Sequence, residues 1–489
     1  MGVIKRQGIK NIFITYIGVI IGAVSAIFLQ PAFLTSTELG FTRNLYNFSF
    51  LLSIALPLGL PNIILRFFPQ YKEGNDLKKY FFGFILFYFL IASLVSLSIF
   101  LIFKSSIVEL YKTDSELFIS YFFCVIPYSL IIALNSSITC YSQAVFKSTV
   151  PSFLNDVFSR VLVVLITVLY YYKIISFDQY VMFFVLIYFL VTIILVMYLK
   201  QFDLISFKIK RSVFSQIELK KVVSYGLILC VISFTSYGLK SIDAIFLGIS
   251  SLSNVAVYST AVFLAMFIEV PLGSIERISH SKIADNFSKG NYSEMEKIYS
   301  ESVKYLLIFG GFIFLGINAC SKYIFEFLPE EYSQSIHLVM ILSIGCLVNV
   351  STGVNNAILF YTSHFKMGGI LLVLAFTLTV VLDMLFIPSY GMTAAAIITA
   401  TVSVVYNVAK FLMIYKEFGF QPYDIKSLKI VVIIFLGFVI ALLLPSLSNM
   451  TVLNIFINGS IISLIYIYLI YKINVIPEIF ESIKMKFVK

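Results

Sequence analysis

Residues 150–200 read VPSFLNDVFSRVLVVLITVLYYYKIISFDQYVMFFVLIYFLVTIILVMYLK. Two apolar runs of about twenty residues flank a short polar connector, and about twenty apolar helical residues are what a bilayer's hydrocarbon core requires. The same pattern recurs along nearly the whole chain. Candidate spans fall at 11–33, 44–65, 80–103, 117–140, 150–171, 179–199, 221–247, 254–276, 303–321, 335–360, 367–387, 391–415, 428–446 and 452–471. Of 489 residues 60% are hydrophobic and 12% charged, and the mean hydropathy is +0.98. Runs of this length, repeated this often, have no soluble home. The sequence predicts an all-α polytopic membrane protein with about 14 transmembrane helices.

Charge tests the span count independently. With the N-terminus inside, 28 Lys/Arg fall on the cytoplasmic face, and Arg43, Lys104, Lys112, Lys173 and Lys322 fall outside. Arg160 and Lys240 remain within spans. That asymmetry is the positive-inside pattern of a chain with both termini cytoplasmic and an even number of spans. The net charge of +10 therefore reads as topology and anionic-lipid contact, with no nucleic-acid partner expected. MGVIKRQGIKN precedes an apolar run too long for a signal peptide, so the first span is expected to be retained.

The connector 202–221 divides six spans from six, and HSKIADNFSKGNYSEMEK (280–297) is polar enough for a surface helix and loop. YSQAVFK (141–147) and YTSHFK (361–366) end spans six apart, a faint parallel repeat. The expected organisation is an N-terminal lobe at 1–205, a C-terminal lobe at 206–417, and a terminal helix pair with its tail at 418–489. In that tail Ile479, Phe480, Ile483 and Phe487 alternate with Lys484, Lys486 and Lys489, a basic amphipathic segment suited to the inner leaflet. With no Trp, 31 Tyr are left to build the interfacial belts.

Several chemistries lack their residues. There is no GxxxxGK[ST] phosphate loop, no HExxH, and no metal-ligand spacing among Cys124, Cys140, Cys230, Cys320 and Cys346. Outer connectors are too short for an enzymatic domain. Neither a cofactor, a resident metal nor a catalytic residue is expected.

The informative residues are charges stranded in apolar runs. Arg160 lies near mid-membrane, where a cation costs at least ~2.5 kcal/mol and must face a polar cavity or a partner. Asp156, one turn earlier, is either that partner or a neighbour of a site where Arg160 meets an anionic ligand. Lys240 and Asp243 form either a self-neutralising pair or part of a cavity. Arg277, beside Glu276, is a cavity cation or an ordinary inner-boundary charge, with Glu269 two turns deeper. Arg43 and Arg66 bracket the second span as cavity cations or snorkelling anchors. Asp383 is a proton or sodium site or a hydrated end group. Pro57, Gly59 and Pro61 interrupt the second span, Pro127 the fourth, and Pro271 with Gly273 the eighth. Broken helices beside buried charges are a transporter's signature.

At LFIPSYGMTAAAIITATVSVVYN (385–407) the chain resembles the polysaccharide-biosynthesis transporters. These lipid-linked oligosaccharide flippases belong to the multidrug/oligosaccharidyl-lipid/polysaccharide exporter superfamily. Phe386, Ile387, Pro388, Tyr390 and Gly391 match the turn that ends that family's eleventh span. Ala395, Ala396, Ala400 and Thr401 approximate the opening of its twelfth. Met392-Thr393-Ala394 departs by lacking the second glycine. LGFTRNLYNFSFLLSIALPLGLPNIILRFFPQY and KSIDAIFLGISSLSNVAVYSTA agree in place, so the resemblance covers nearly the whole chain.

It implies a V-shaped pair of six-helix lobes, alternating access, and an oligosaccharide on a polyprenyl pyrophosphate as cargo. Arg160, Arg277, Arg43, Arg66 and Lys240 would then serve as cavity cations. Asp156, Asp243, Glu269 and Asp383 would serve as ion-coupling or charge-partner acids. Implied partners are membrane lipids, a coupling H+ or Na+, and polysaccharide assembly proteins, at the bacterial inner membrane. Three alternatives stay open: a cation-coupled drug exporter, a peptidoglycan-precursor flippase, and, from another class, a membrane glycosyltransferase or polymerase.

Overall fold

The computed structural model describes residues 2–68, 77–111, 116–208 and 218–473. The amphipathic tail, Lys112 and part of the 202–221 connector lie outside the described residues. Every regular element among the described residues is helical.

Among the described residues, twelve helices are long and apolar enough to cross a membrane, and Ser36–Ala55 with Leu60–Phe67 forms a thirteenth span bent by 47°. The element Phe365–Phe418 has 54 residues, about 80 Å at ~1.5 Å per residue, more than twice a bilayer core. Gly391 divides it with non-helical backbone (φ 56°, ψ −138°), at the turn expected between spans eleven and twelve. Counted so, the spans number fourteen.

The bend in span two has a sequence cause. Pro57 and Pro61 withhold backbone donors, and Leu58 and Gly59 turn left-handed (φ 44° and 78°). A Cβ on Gly59 would also stand 2.1 Å from the carbonyl oxygen of Gly226 on span seven, Lys220–Ser250. Only glycine fits there. Pro271 likewise follows a 3-10 turn, Met266–Glu269, that breaks span eight. Pro127 does the same in span four: it sits in the first turn of Val125–Ala144, directly after a 3-10 turn, Phe122–Cys124, that sets this helix apart from Glu116–Ser120.

Other helices outrun their apolar cores. Span three continues helically to Leu110, through much of the expected outer connector. Val270–Ser288 and Tyr292–Phe325 together absorb the polar stretch 280–297, turning at Gly290 (φ 69°). The chain falls into two compact units, Met1–Ala256 and Val257–Lys489. Span seven packs along span two within the first unit. In the second, the terminal pair Ile425–Leu443 and Thr451–Ile473 packs on span nine, where Tyr466 Oη donates to Ile308 O at 3.0 Å and Asn458 Nδ2 to Tyr323 Oη at 3.0 Å.

Candidate functional site

The helix that opens the first span, Gly2–Val24, presents Asn11, Thr15, Gly18 and Gly22 at intervals of four, three and four, along one helical face. That face meets span five, Thr149–Tyr171. Asn11 Nδ2 donates to Ser148 Oγ at 3.0 Å, and Thr15 Oγ1 to Asp156 Oδ2 at 3.1 Å. Arg160 Nη1 donates to the Gly18 carbonyl. A Cβ on Gly22 would stand 2.7 Å from Arg160 Nη1, so the bare glycine makes room for the guanidinium. Small residues of this kind let membrane helices approach closely. The spacing was available in the sequence; read only for charges, it passes unnoticed.

Arg160 is eleven residues from either end of its span, about 16 Å from each at ~1.5 Å per residue. It is half-buried and, among the described residues, forms no ion pair with Asp156 or any other carboxylate. The self-pairing alternative is therefore not what the structure holds. Asp156 lies in a π-turn, Leu154–Phe158, which shifts the helix register just before Arg160. Polar neighbours accommodate the turn: Asn155 Nδ2 donates to Pro151 O at 3.0 Å and Ser159 Oγ to Asn155 O at 2.6 Å.

Arg43 is 7% exposed and seven residues inside span two, not an anchor at its end. Its Nη2 donates to Ala26 O at 2.6 Å, within a second π-turn at Ser25–Leu29, and Nη1 donates to Ala256 O at 2.7 Å. A π-turn leaves carbonyls short of partners, and this guanidinium supplies one. Arg66 is exposed in the last turn of its helix, favourably placed for the helix dipole. Lys240 is exposed whereas Asp243 is 2% exposed, so the two face different surroundings.

In the second unit, Glu269 Oε1 accepts from Asn349 Nδ2 at 2.8 Å. Arg277 is exposed. Asp383 is fully buried inside a helix, which removes the hydrated-end-group reading. Lys410 is the residue that charge counting misplaced: grouped with a cytoplasmic connector, it is 1% exposed within the helix. Its Nζ donates to Asn356 Oδ1 at 2.9 Å and lies 4.3 Å from the Tyr406 ring centroid. Asn356 Nδ2 donates in turn to Glu276 Oε1 at 3.0 Å. An amide thus joins a buried ammonium to a carboxylate, an arrangement that a buried charge requires.

A cluster of tyrosines completes the first unit's polar centre. The Tyr46 ring lies 6.4 Å from Tyr128 and 6.5 Å from Tyr188, which are 6.1 Å apart. Phe50 lies 4.3 Å from Tyr237, whose hydroxyl donates to Asn47 Oδ1 at 3.3 Å. Tyr188 also lies within electrostatic reach of Arg160 and Asp156. A belt reading of the tyrosines misses this group, although its mid-run positions were visible in the sequence.

No protein-family model and no curated protein matches the sequence. Solved structures do. A lipid II flippase, MurJ, in an inward closed conformation matches with TM-score 0.72 at 17% identity, over 95% of this chain and 98% of that one. An inward-facing multidrug-resistance MATE transporter matches with TM-score 0.62 at 15% identity, over 83% and 94%. A transporter from Pyrococcus furiosus, described as having a binding pocket of reversed polarity, matches with TM-score 0.57 at 16% identity, over 85% and 95%. The chain shares its fold with these three proteins.

Proposed function

We propose that the protein is a flippase that moves a polyprenyl-pyrophosphate-linked oligosaccharide from the inner to the outer leaflet of the bacterial cytoplasmic membrane. Its use is surface-polysaccharide biosynthesis, by alternating access between lobes at 1–205 and 206–417. The observation that carries this reading is Arg160, a mid-membrane cation hydrogen-bonded to a backbone carbonyl rather than neutralised by an acid. A guanidinium has five N–H donors, so one bond to Gly18 leaves a planar fork suited to two phosphate oxygens. The prenyl tail can remain in lipid while the charged head crosses beside that cation.

A cation-coupled drug exporter would favour an acidic centre, which Arg160 and Arg43 do not supply. A peptidoglycan-precursor flippase is the second reading, favoured by the likeness to the lipid II flippase over nearly the whole of both chains. Both cargoes place a sugar on a prenyl pyrophosphate, so complementation separates them. Expression should restore surface glycan to a strain lacking its oligosaccharide flippase, without supporting growth when lipid II flipping is depleted. The opposite pattern selects the second reading, and failure in both strains, with the protein normally inserted, rejects flippase function.

A further inference from the structure

Tyrosine hydroxyls favour the membrane–water interface, where one end of the side chain is apolar and the other wet. Three tyrosines of the first unit lie far from either end of their spans. Tyr46 is ten residues beyond Ser36, Tyr188 eleven beyond Phe177 and thirteen before Gln201, and Tyr237 thirteen before Ser250. At ~1.5 Å per residue each is at least about 15 Å from the nearer end named. All three are nonetheless only half-buried, as are Asn47 and Phe50 beside them. Polar groups at this depth are costly against hydrocarbon, which suits these faces to a polar occupant or water. Fully buried Tyr128 backs the group, and Arg160 lies within electrostatic reach of Tyr188.

A neutral ligand that suits such a surface has flat apolar faces edged by hydroxyls. A pyranose ring is such a ligand: its axial C–H bonds lie against an aromatic face, and its equatorial hydroxyls meet phenol and amide groups. Tyr46, Tyr188 and Tyr237 supply rings with hydroxyls, Phe50 a bare ring, and Asn47 an amide. Tyrosine loses little rotamer freedom on contact, so such a surface binds without the penalty of ordering long side chains. No cation is required at the rings, and the anionic link to the prenyl tail falls to Arg160. From this juxtaposition we infer that Tyr46, Tyr188, Tyr237, Phe50 and Asn47 form a carbohydrate subsite for the sugar next to the pyrophosphate. The inference rests on the proposed flippase reading and specifies where its sugar binds. Stacking without charge keeps the hold on the sugar weak, which a carrier needs for release.

Saturation-transfer NMR on the full-length protein in lipid nanodiscs reads weak sugar binding without a label. The probes are undecaprenyl pyrophosphate, carrying no sugar, and free disaccharides built from hexoses, N-acetylhexosamines and uronic acids. At least one disaccharide should show transfer, strongest at its ring C–H protons. Tyr46→Ala and Tyr237→Ala should each weaken that binding about tenfold, the loss of one ring contact, while undecaprenyl-pyrophosphate binding stays within about twofold. Tyr46→Phe, which keeps the packing and removes only the hydroxyl, should weaken it less and controls for misfolding. Arg160→Ala should do the reverse, losing the pyrophosphate lipid and retaining the disaccharide.

Undecaprenyl pyrophosphate bound with no disaccharide detected overturns the subsite while leaving the flippase reading standing. Disaccharide binding that persists in the Tyr46→Ala/Tyr237→Ala double variant overturns it as well. Binding of neither probe by wild-type protein rejects the flippase reading and the subsite together.

Discussion

At the residue scale the function turns on what each cation touches. Arg160 and Asp156 are bonded separately to the first span, through Gly18 and Thr15. Removing one therefore does not strand the other. Arg160→Ala should reduce transport at least tenfold with normal abundance, and Arg160→Lys should recover only part, because a point ammonium lacks the fork. Asp156→Ala should cost about 1 kcal/mol of stability, one partly buried hydrogen bond, and the double variant should transport no better than Arg160→Ala. Flux restored in the double variant, assayed beside membrane abundance, would return Arg160 to the role of a strut. Arg43 behaves oppositely. Its two carbonyl bonds diverge, so Arg43→Lys should lose about 1.5–3 kcal/mol and lower the amount of folded protein. The sequence puts Arg160 within a span and Arg43 at the edge of one; only the structure shows both inside helices and bonded to carbonyls of distant residues.

Among the elements, the contact of spans one and five offers a paired test. A Cβ on Gly18 would stand 2.3 Å from the Asp156 carbonyl oxygen, a backbone atom that moves only with its helix. Gly18→Ala should therefore destabilise by about 1–3 kcal/mol, read as lower abundance or earlier thermal aggregation. A Cβ on Gly22 meets the end of the Arg160 side chain, which can swing away. Gly22→Ala should leave abundance intact and impair transport. Equal effects of the two in both assays would refute this division of labour.

The terminal pair carries a second element-scale test. Asp424 caps the helix Ile425–Leu443 by accepting from Ser427 N at 2.8 Å, and it pairs with Lys304 at 2.7 Å. Partial burial pushes its carboxyl up, but the Lys304 ammonium and the Ser427 donors outweigh that and hold it at about 2. A folded value below the ordinary ~3.9 means that stabilisation is complete above about pH 4 and lost as pH falls toward 2. Purified protein should lose thermal stability across that window, and Asp424→Asn should lower the neutral-pH value while flattening the loss. The pair is partly exposed, so the effect should be modest and weaken with salt.

For the whole molecule, the basic asymmetry predicts both termini in the cytoplasm. Reporter fusions after Lys79, Lys221 and Lys297 should read inside, and those at Lys112, Ser251 and Gln334 outside; one reversed pair would break the fourteen-span order. The sequence by itself determined the solvent, the helical class, the number of spans and most of their breaks. These are local consequences: in hydrocarbon each run must satisfy its own backbone, and length, proline and glycine decide where it can do so. It did not determine where helices such as Val270–Ser288 end, because once the backbone is satisfied a polar continuation costs a helix little. Tertiary structure alone decided the fate of the stranded charges and tyrosines. Arg160 and Lys240 look alike as cations in apolar runs, yet one meets a helix 142 residues away and the other is exposed. Lys410 reads as a boundary charge until Asn356, 54 residues earlier, closes over it. Which face of a helix is buried depends on its neighbours, and between membrane helices apolarity cannot choose them, since lipid is as apolar as leucine. Close approach at glycines and hydrogen bonds between distant residues make that choice.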